Sequence, residues 1–462
     1  MLKTPPRLGA DEGSKVQMQS KLEREPGLEQ RCDVLVIGGG PAGSTAAALL
    51  AERGHRVTLL ERARHPRFHI GESLLPANLP LFERLGVAEQ VRSIGMEKWG
   101  AEFVSPWHEH TQTFEFAGAW DKSMPFAYQV RRSELDEILI RNAAAKGAEV
   151  IEGCRVQEVV FQPNGATVSA RRDDGTAGVW QAGFVVDASG RDTFLGNRLR
   201  LKHRNPRHNS SAMYAHFEGA RRLPGQAEGN ISIFWFEHGW FWFIPLADGA
   251  TSVGAVSWPY YFKGRVGPME TFFLDTIALC PALAERLKDA RLVTEVEATG
   301  NYSYVSDRTH GPGYLLLGDA FAFIDPVFSS GVMLAMISAF AGAEAVDTSL
   351  RHPARSARAM RRFDRLMRHG PREFSWFIYR VTNPIMRDLF MGPRNLLRMR
   401  EALLSVLAGD LYGKTPIWGS LLAFKAVYYL HCLFDLRRSV RAWRQRRLNI
   451  RTFDAQETPV GQ

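Results

Sequence analysis

Asp33-Val34-Leu35-Val36-Ile37-Gly38-Gly39-Gly40-Pro41-Ala42-Gly43 is the stretch that decides the fold. Its apolar run is short and closed by glycine, the pattern of a strand buried in a parallel sheet. Ser44 to Arg53, rich in Ala and Leu, predicts a helix, and Arg56-Val57-Thr58-Leu59-Leu60-Glu61 predicts a second strand. Strand, glycine turn, helix and strand in about 30 residues make one βαβ unit. The glycines have dinucleotide spacing. Gly38 allows the tight turn, Gly40 lets a diphosphate approach, and Gly43 lets the helix sit close to the strand. With Ala42 they form a helix start whose positive end suits pyrophosphate. Glu61, ending the second strand, is placed to accept the hydroxyls of an adenine ribose.

Outward from this unit, the chain is ordinary globular protein. It has 462 residues, 45% hydrophobic and 23% charged. That composition excludes collagen-like, disordered and coiled-coil chains. The length allows two large domains or about three smaller ones. Cys32, Cys154, Cys280 and Cys432 lack zinc-ligand spacing and make no disulfide scaffold, so no metal site and a reducing, cytoplasmic setting are expected. Residues 1–30 hold no apolar core of signal-peptide length and read as a flexible tail.

Further along, a helix is predicted over Ser133 to Lys146 and a meander over Ala148 to Ser169. Phe184-Val185-Val186-Asp187 and Tyr314-Leu315-Leu316-Leu317-Gly318-Asp319 read as short buried strands, with a helix from Val332 to Asp347. Ser210 to Ser257, aromatic and β-branched, suits a separate sheet. Beyond Arg351 the chain reads as helical, broken at Pro371, Pro384, Pro393 and Pro416.

In this order the glycine fingerprint, Asp187-Ala188-Ser189-Gly190 and Gly318-Asp319 resemble the FAD domain of aromatic hydroxylases of the p-hydroxybenzoate hydroxylase type. The resemblance implies that Asp319 reaches the flavin's ribityl and diphosphate region. Arg132, in Val130-Arg131-Arg132-Ser133-Glu134-Leu135, matches an arginine near the cofactor. Read alone, each has a lesser alternative, Asp319 as a helix cap and Arg132 as a surface charge. No second glycine fingerprint marks a separate nicotinamide domain. The expected fold is therefore α/β: a Rossmann-type FAD-binding domain over residues 31–350, an inserted mixed β-sheet substrate domain from about 95–130 and 205–300, and a basic helical extension over 351–462.

Gly239-Trp240-Phe241-Trp242-Phe243-Ile244-Pro245 reads as a strand with both tryptophans on one face, by itself an aromatic core strand. Its Trp-x-Trp-x-Ile-Pro pattern resembles that of flavin-dependent halogenases. There the pair, here Trp240 and Trp242 with Ile244 and Pro245 behind them, lies on the tunnel between flavin and substrate. Ile94-Gly95-Met96-Glu97-Lys98-Trp99-Gly100-Ala101-Glu102-Phe103 resembles the stretch with the family's catalytic lysine, which implies Lys98. Read alone, Lys98 is a surface lysine beside Glu97. Phe323-Ile324-Asp325-Pro326-Val327-Phe328-Ser329-Ser330-Gly331-Val332 resembles the halide and flavin segment. It implies chloride or bromide on the backbone amides of Ser330 and Gly331, and Ser329 facing substrate or Lys98, unless it merely caps the helix. His69-Ile70-Gly71-Glu72-Ser73-Leu74-Leu75-Pro76 is similar to the phenol- and pyrrole-acting branch. The resemblance runs from about residue 32 to 415, through Asn383-Pro384 and Leu407-Ala408-Gly409-Asp410.

One position departs from the pattern. Tryptophan-acting members carry a glutamate where this chain has Phe328, which argues for electron-rich phenols or pyrroles as substrate. The activity implied is that of a two-component enzyme. A separate flavin reductase supplies FADH2, oxygen and halide give hypohalous acid, and Lys98 relays the halogen to a small aromatic, free or tethered to an acyl-carrier protein. An FAD-dependent aromatic monooxygenase or oxidoreductase of the same fold is the alternative, and a lipid- or carrier-binding scaffold with vestigial flavin a third reading.

Charge is uneven. Residues 351–462 hold 22 Lys and Arg against 8 Asp and Glu, a net of +14 in a chain whose net is +9. Ile417 to Phe434 is apolar but interrupted by Lys425, which argues against a membrane span. The arginine-rich helix after it, with Leu436, Val440 and Trp443 on one face, suits peripheral contact with the inner face of a membrane, an acidic partner, or packing on the enzyme's own body. No recognition module accompanies the charge, so nucleic-acid binding is not expected.

Overall fold

Residues 30–300, 303–413 and 415–454 are described in the computed structural model. The apolar run before the glycines is β1 (Gln30–Ile37), central in a sheet. It pairs in parallel with Ala177–Asp187 on one side and with β2 (Val57–Glu61) on the other. Tyr314–Leu316 and Glu149–Glu152 extend the parallel order at either side. Helix α1 (Pro41–Glu52) packs on this sheet beside the helices Arg132–Ala145 and Gly331–Arg351. The register puts Ile37 opposite both Leu60 and Asp187, and Asp187 opposite Leu316. Gly38, Glu61, Ala188 and Gly318 therefore emerge together at the carboxyl edge, where open α/β sheets bind ligands.

Boundaries moved in instructive ways. α1 starts at Pro41, whose fixed φ and missing N–H suit a first helical position. β1 already includes Gln30, so only residues 1–29 of the expected tail lie outside the described residues. The expected meander divides: Glu149–Glu152 joins the parallel sheet, while Cys154–Gln162 pairs antiparallel with Gly165–Arg172, which pairs antiparallel in turn with Ala177–Asp187.

A second, mixed sheet brings Gly100–Val104 and Gln112–Glu115 together with Ser211–Glu218, Ile231–Phe236, Gly239–Pro245 and Ala250–Ser257. All its pairings are antiparallel except Ile231–Phe236 with Gly100–Val104. Strand alternation sorts its aromatics. Trp235, Trp240 and Trp242 share a core with Phe328, Phe374 and Phe377. Phe234, Phe241 and Phe243 face the opposite core with Phe273.

Pro371 does not break a helix. The helix Pro353–Ile378 runs through it, contrary to the sequence expectation. Its first half buries Phe363 and Met367 in the sheet core, and its second half buries Phe374 and Phe377 in the tryptophan core. Packing at both ends outweighs the roughly 3 kcal/mol that an interior proline costs. Pro384 instead begins the helix Pro384–Met391, capped by Asn383, whose side chain accepts from Ile385 N at 2.9 Å. The last two helices are Trp418–Phe434 and Leu436–Asp454. Among the described residues the one helix long and apolar enough to cross a membrane is Gly331–Arg351, which packs against α1 and the Pro353–Ile378 helix.

Candidate active site

Each glycine of the fingerprint has its own reason. Gly38 has φ +102°, and a Cβ there would lie 2.5 Å from Ala188 O. A Cβ on Gly43 would lie 1.9 Å from Gly38 O, so helix and turn touch through it. Gly40 differs: its Cβ would meet only Arg67 Nη2, at 3.7 Å. The fold leaves that space clear for something that is not protein, which is what a bound diphosphate requires.

The space opens into a cavity of about 1000 Å³ that runs from Gly38, Gly40 and Ala42 past Glu61, Arg132 and Asp319 to Trp240, Trp242, Ile244, Ser329 and Gly331. This size is the upper end for ligand pockets and suits a dinucleotide. Arg62, Arg67, Arg155, Arg191 and Arg198 also line it, a cationic wall for a diphosphate. Of the other expected site residues, Gly43 lies behind the turn, while Pro245, Ser330 and Lys98 do not line the cavity.

Glu61 is buried and ties two loops, accepting from Gly39 N at 2.6 Å and Ala63 N at 2.8 Å. Arg132 is neither a surface charge nor free: it is buried, forks onto Asp136 at 2.9 and 3.0 Å, and donates to Ile70 O at 3.1 Å. The Asp319 carboxyl, enclosed by protein at the cavity wall, is pushed up to about 6 by desolvation, with Arg191 and Arg132 opposing. His69, also on the cavity wall, is pushed down to about 4, by burial and then by Arg132, and stays neutral.

Trp240 and Trp242 are buried with ring centroids 6.1 Å apart. Trp242 donates through Nε1 to Ser252 Oγ at 3.2 Å and lies against Gly254, where a Cβ would come within 2.1 Å of the indole. The pair forms a fixed wall.

Lys98 is 1% exposed, which overturns its reading as a surface lysine beside Glu97. It ends the strand Met96–Lys98, paired with Ala127–Gln129. The segment around Ser73 runs beside the same strand, with Leu74 N bonded to Tyr128 O. Lys98 Nζ therefore donates to Ser73 Oγ and Leu74 O, both at 2.9 Å, and lies 5.3 Å from the Phe116 ring centroid. Among the described residues no carboxylate pairs with it, and burial pushes the ammonium down to about 7. Its side-chain partner is Ser73, which lines the cavity, rather than Ser329.

Ser329 has left-handed φ +53° at the end of the Pro326–Phe328 turn, and Ser330 is the N-cap of the helix Gly331–Arg351 without a side-chain cap bond. A Cβ on Gly331 would meet nothing within 4 Å. This helix N-terminus opens toward the cavity, a disposition suited to a small anion.

Comparison with known proteins places this geometry. Residues 31–358 match the FAD binding domain family. The flavin-dependent halogenase armH3 of Armillaria mellea is 35% identical over 346 residues, covering 69% of this chain and 68% of its own. The chain belongs to the flavin-dependent halogenases. A 1H-pyrrole-2-carbonyl-(peptidyl-carrier protein) chlorinase of Pseudomonas fluorescens Pf-5 is 30% identical over 406 residues, covering 82% and 89%. A tryptophan 2-halogenase of Chondromyces crocatus is 36% identical over 333 residues, but the chain spans only 62% of that relative's length. Among solved structures, the myxobacterial chondrochloren halogenase CndH superposes with TM-score 0.72 at 35% identity, covering 85% of this chain and 93% of CndH. A flavoprotein/dehydrogenase of Cytophaga hutchinsonii gives 0.79 at 27% identity, covering 87% and 100%.

Sequence reasoning assigned no role to several residues of this halogenase site. Glu72 and His216 form a buried pair at 2.8 Å, with Glu72 on the cavity wall. Asp187 is buried, its carboxyl raised by desolvation, and holds the turn after its strand by accepting from Ser189 N and Leu195 N. The sequence signal for Ser73 is the Gly71-Glu72-Ser73 string, with nothing in the sequence to join it to Lys98.

Proposed function

We propose that this chain is an FADH2-dependent halogenase acting on an electron-rich phenol or pyrrole, free or carried on an acyl-carrier protein. The observation that carries this reading is Lys98: a fully buried amine with no counter-ion among the described residues, one hydrogen bond from a cavity whose size and glycine turn suit a dinucleotide. Gly38, Gly40, Ala42, Glu61, Arg132 and Asp319 hold FAD. Bound as FADH2, the cofactor supplies the two electrons with which O2 oxidises halide to hypohalous acid. Ser330 and Gly331 amides hold chloride or bromide. Trp240 and Trp242 keep substrate off the flavin, and Ile244 and Pro245 fix their strand. Hypohalous acid reaches Lys98 past Ser73. The neutral amine takes the halogen: an N–X bond forms, the X–O bond breaks, and the amine's proton leaves with hydroxide as water. The ring then takes the halogen: a C–X bond forms, the N–X bond breaks, and the proton the ring loses returns to nitrogen to restore the Lys98 amine. Ser329 faces the substrate side of the turn.

Phe328, stacked on Phe374 with centroids 6.2 Å apart and edge-to-face with Phe377 at 6.1 Å, puts apolar surface where the tryptophan-acting pattern has an acid. This favours rings that need little activation. The similarity to a protein named tryptophan 2-halogenase pulls the other way, so substrate choice is what assay must decide. The purified chain, a flavin reductase and NADH, tried with chloride, bromide or neither on phenols and pyrroles free and carrier-tethered, gives halogenated product by mass spectrometry. Oxygenated product in every arm would instead establish the monooxygenase alternative.

A second reading concerns the last two helices. Leu422, Leu430, Leu433 and Phe434 are exposed on the first, and Arg437, Arg441 and Arg444 on the second. Such a surface favours reversible contact with an anionic bilayer.

A further inference from the structure

The last helix reaches the back of the halide turn through one arginine. Arg446, on Leu436–Asp454, inserts its guanidinium between Trp258 and Tyr379, 5.5 and 5.4 Å from their centroids. It donates to Tyr379 O and, at 2.7 Å, to Arg207 O. No carboxylate lies within ion-pair distance of it among the described residues. Desolvation lowers it to about 10, so this is a costly place for a cation.

The same guanidinium faces His208 Nδ1 at 3.4 Å. Arginine has donors and no acceptor, so Nδ1 must offer its lone pair and the ring proton must sit on Nε2. Nε2 in turn donates to Asp325 Oδ2 at 2.8 Å, where Ser210 Oγ also donates at 2.8 Å. His208 and Asp325 are both buried. The other Asp325 oxygen accepts from Val327 N at 3.1 Å and closes the Pro326–Phe328 turn, which hands on to Ser329, Ser330 and Gly331.

We propose that Arg446 is a positioning residue for the halide turn: it fixes His208 in the tautomer that holds Asp325, and Asp325 sets the turn that presents Ser329 and Gly331 to the cavity, with Ser330 between them. The inference rests on the halide reading above and gives the basic extension a task inside the reaction. FAD's diphosphate end meets the glycine turn and the arginine wall, whereas an anion site made of backbone amides depends on how the Pro326–Phe328 turn is set, because it has no side chain to adapt.

The test uses the full-length FAD-loaded protein and bromide as probe. It reads the bromide concentration that half-saturates the change in FAD absorbance, and the KM for bromide against kcat. Arg446→Ala raises both bromide constants roughly tenfold, the cost of one charge-assisted hydrogen bond, while FAD affinity stays unchanged. His208→Leu removes the ring and with it the only route by which Arg446 reaches Asp325 in this proposal. It raises the bromide constants at least as far as Arg446→Ala does, and Arg446→Ala added to it has no further effect. If Arg446→Ala gives no folded holoprotein, Arg446→Lys carries the test with a smaller rise. A normal bromide response in the wild type that is unchanged in the arginine variant, or an equal effect of Arg446→Ala with and without His208→Leu, overturns the inference alone. A wild type that never responds to bromide overturns the halide reading, and the inference with it.

Discussion

Lys98→Met separates what burial does to this amine from what the amine does in the reaction. Methionine fills the slot between Ser73, Leu74 and the Phe116 ring and cannot titrate. In the fold Lys98 titrates near 7, against 10.5 for an ordinary lysine. Between those values the unfolded chain binds a proton that the folded chain does not, so wild-type stability rises with pH across that window. Two-site titration with these values gives a gain of about 2 kcal/mol from pH 7 to pH 9, at about 1.4 kcal/mol per pKa unit. The variant lacks this term. It leaves Ser73 Oγ and Leu74 O without a donor, at about 1–3 kcal/mol, but that cost does not depend on pH. Urea midpoints at pH 6, 7, 8 and 9 should therefore show the stability difference between variant and wild type shifting toward wild type by about 2 kcal/mol over the upper two units. Below pH 7 it should stay flat. Halogenated product falls at least about a hundredfold while reduced flavin still consumes oxygen, because the cavity is built without Lys98. A difference constant from pH 6 to 9 would mean an ordinarily charged lysine, and with wild-type halogenation the relay would fall too.

Gly40→Val should fold normally and lose FAD, since its side chain meets only Arg67 before entering ligand space, whereas Gly43→Val should fail to fold; a normal flavin spectrum in Gly40→Val sinks the cofactor assignment. The purified chain with NADPH, FAD and halide should be nearly inactive until a flavin reductase is added, and robust turnover on NADPH alone would favour a single-component hydroxylase. Anionic vesicles should sediment the protein at low salt and release it at high salt. Leu433→Ser with Phe434→Ser, at residues 68% and 89% exposed, should abolish capture, and equal sedimentation of wild type and variant would exclude that face.

What the sequence made legible and what it hid follow from how far apart the interacting residues lie. The fingerprint is local: Gly38, Gly40, Gly43 and the Pro41 helix start act within six positions, so spacing alone revealed turn, approach and packing. The tryptophan strand was equally readable, because alternation assigns Trp240 and Trp242 to one face without knowing what that face meets. Lys98 could be picked out only by family likeness. The feature that makes its chemistry plausible, burial without a counter-ion beside Ser73 and Leu74, is set by segments 25 and 24 positions away. Pro371 misled because local propensity says nothing about two cores gripping one helix from either end.

The basic extension shows the same limit in its strongest form. Counting charges gave residues 351–462 a net of +14 and suggested a surface field, and Arg437, Arg441 and Arg444 do lie on the surface. Arg446, two positions beyond Arg444 in the same run, instead lies among Trp258, Tyr379 and His208, 238 positions from its histidine partner. One helical run of arginines thus carries two kinds of charge. The exposed ones act through screened, salt-sensitive attraction. The enclosed one acts through directed hydrogen bonds that salt does not reach. Raising ionic strength should therefore strip any bilayer contact while leaving bromide affinity unchanged, up to concentrations at which the added anion competes for the site. If both functions faded together with salt, Arg446 would belong to the surface field and the link to Asp325 would be incidental.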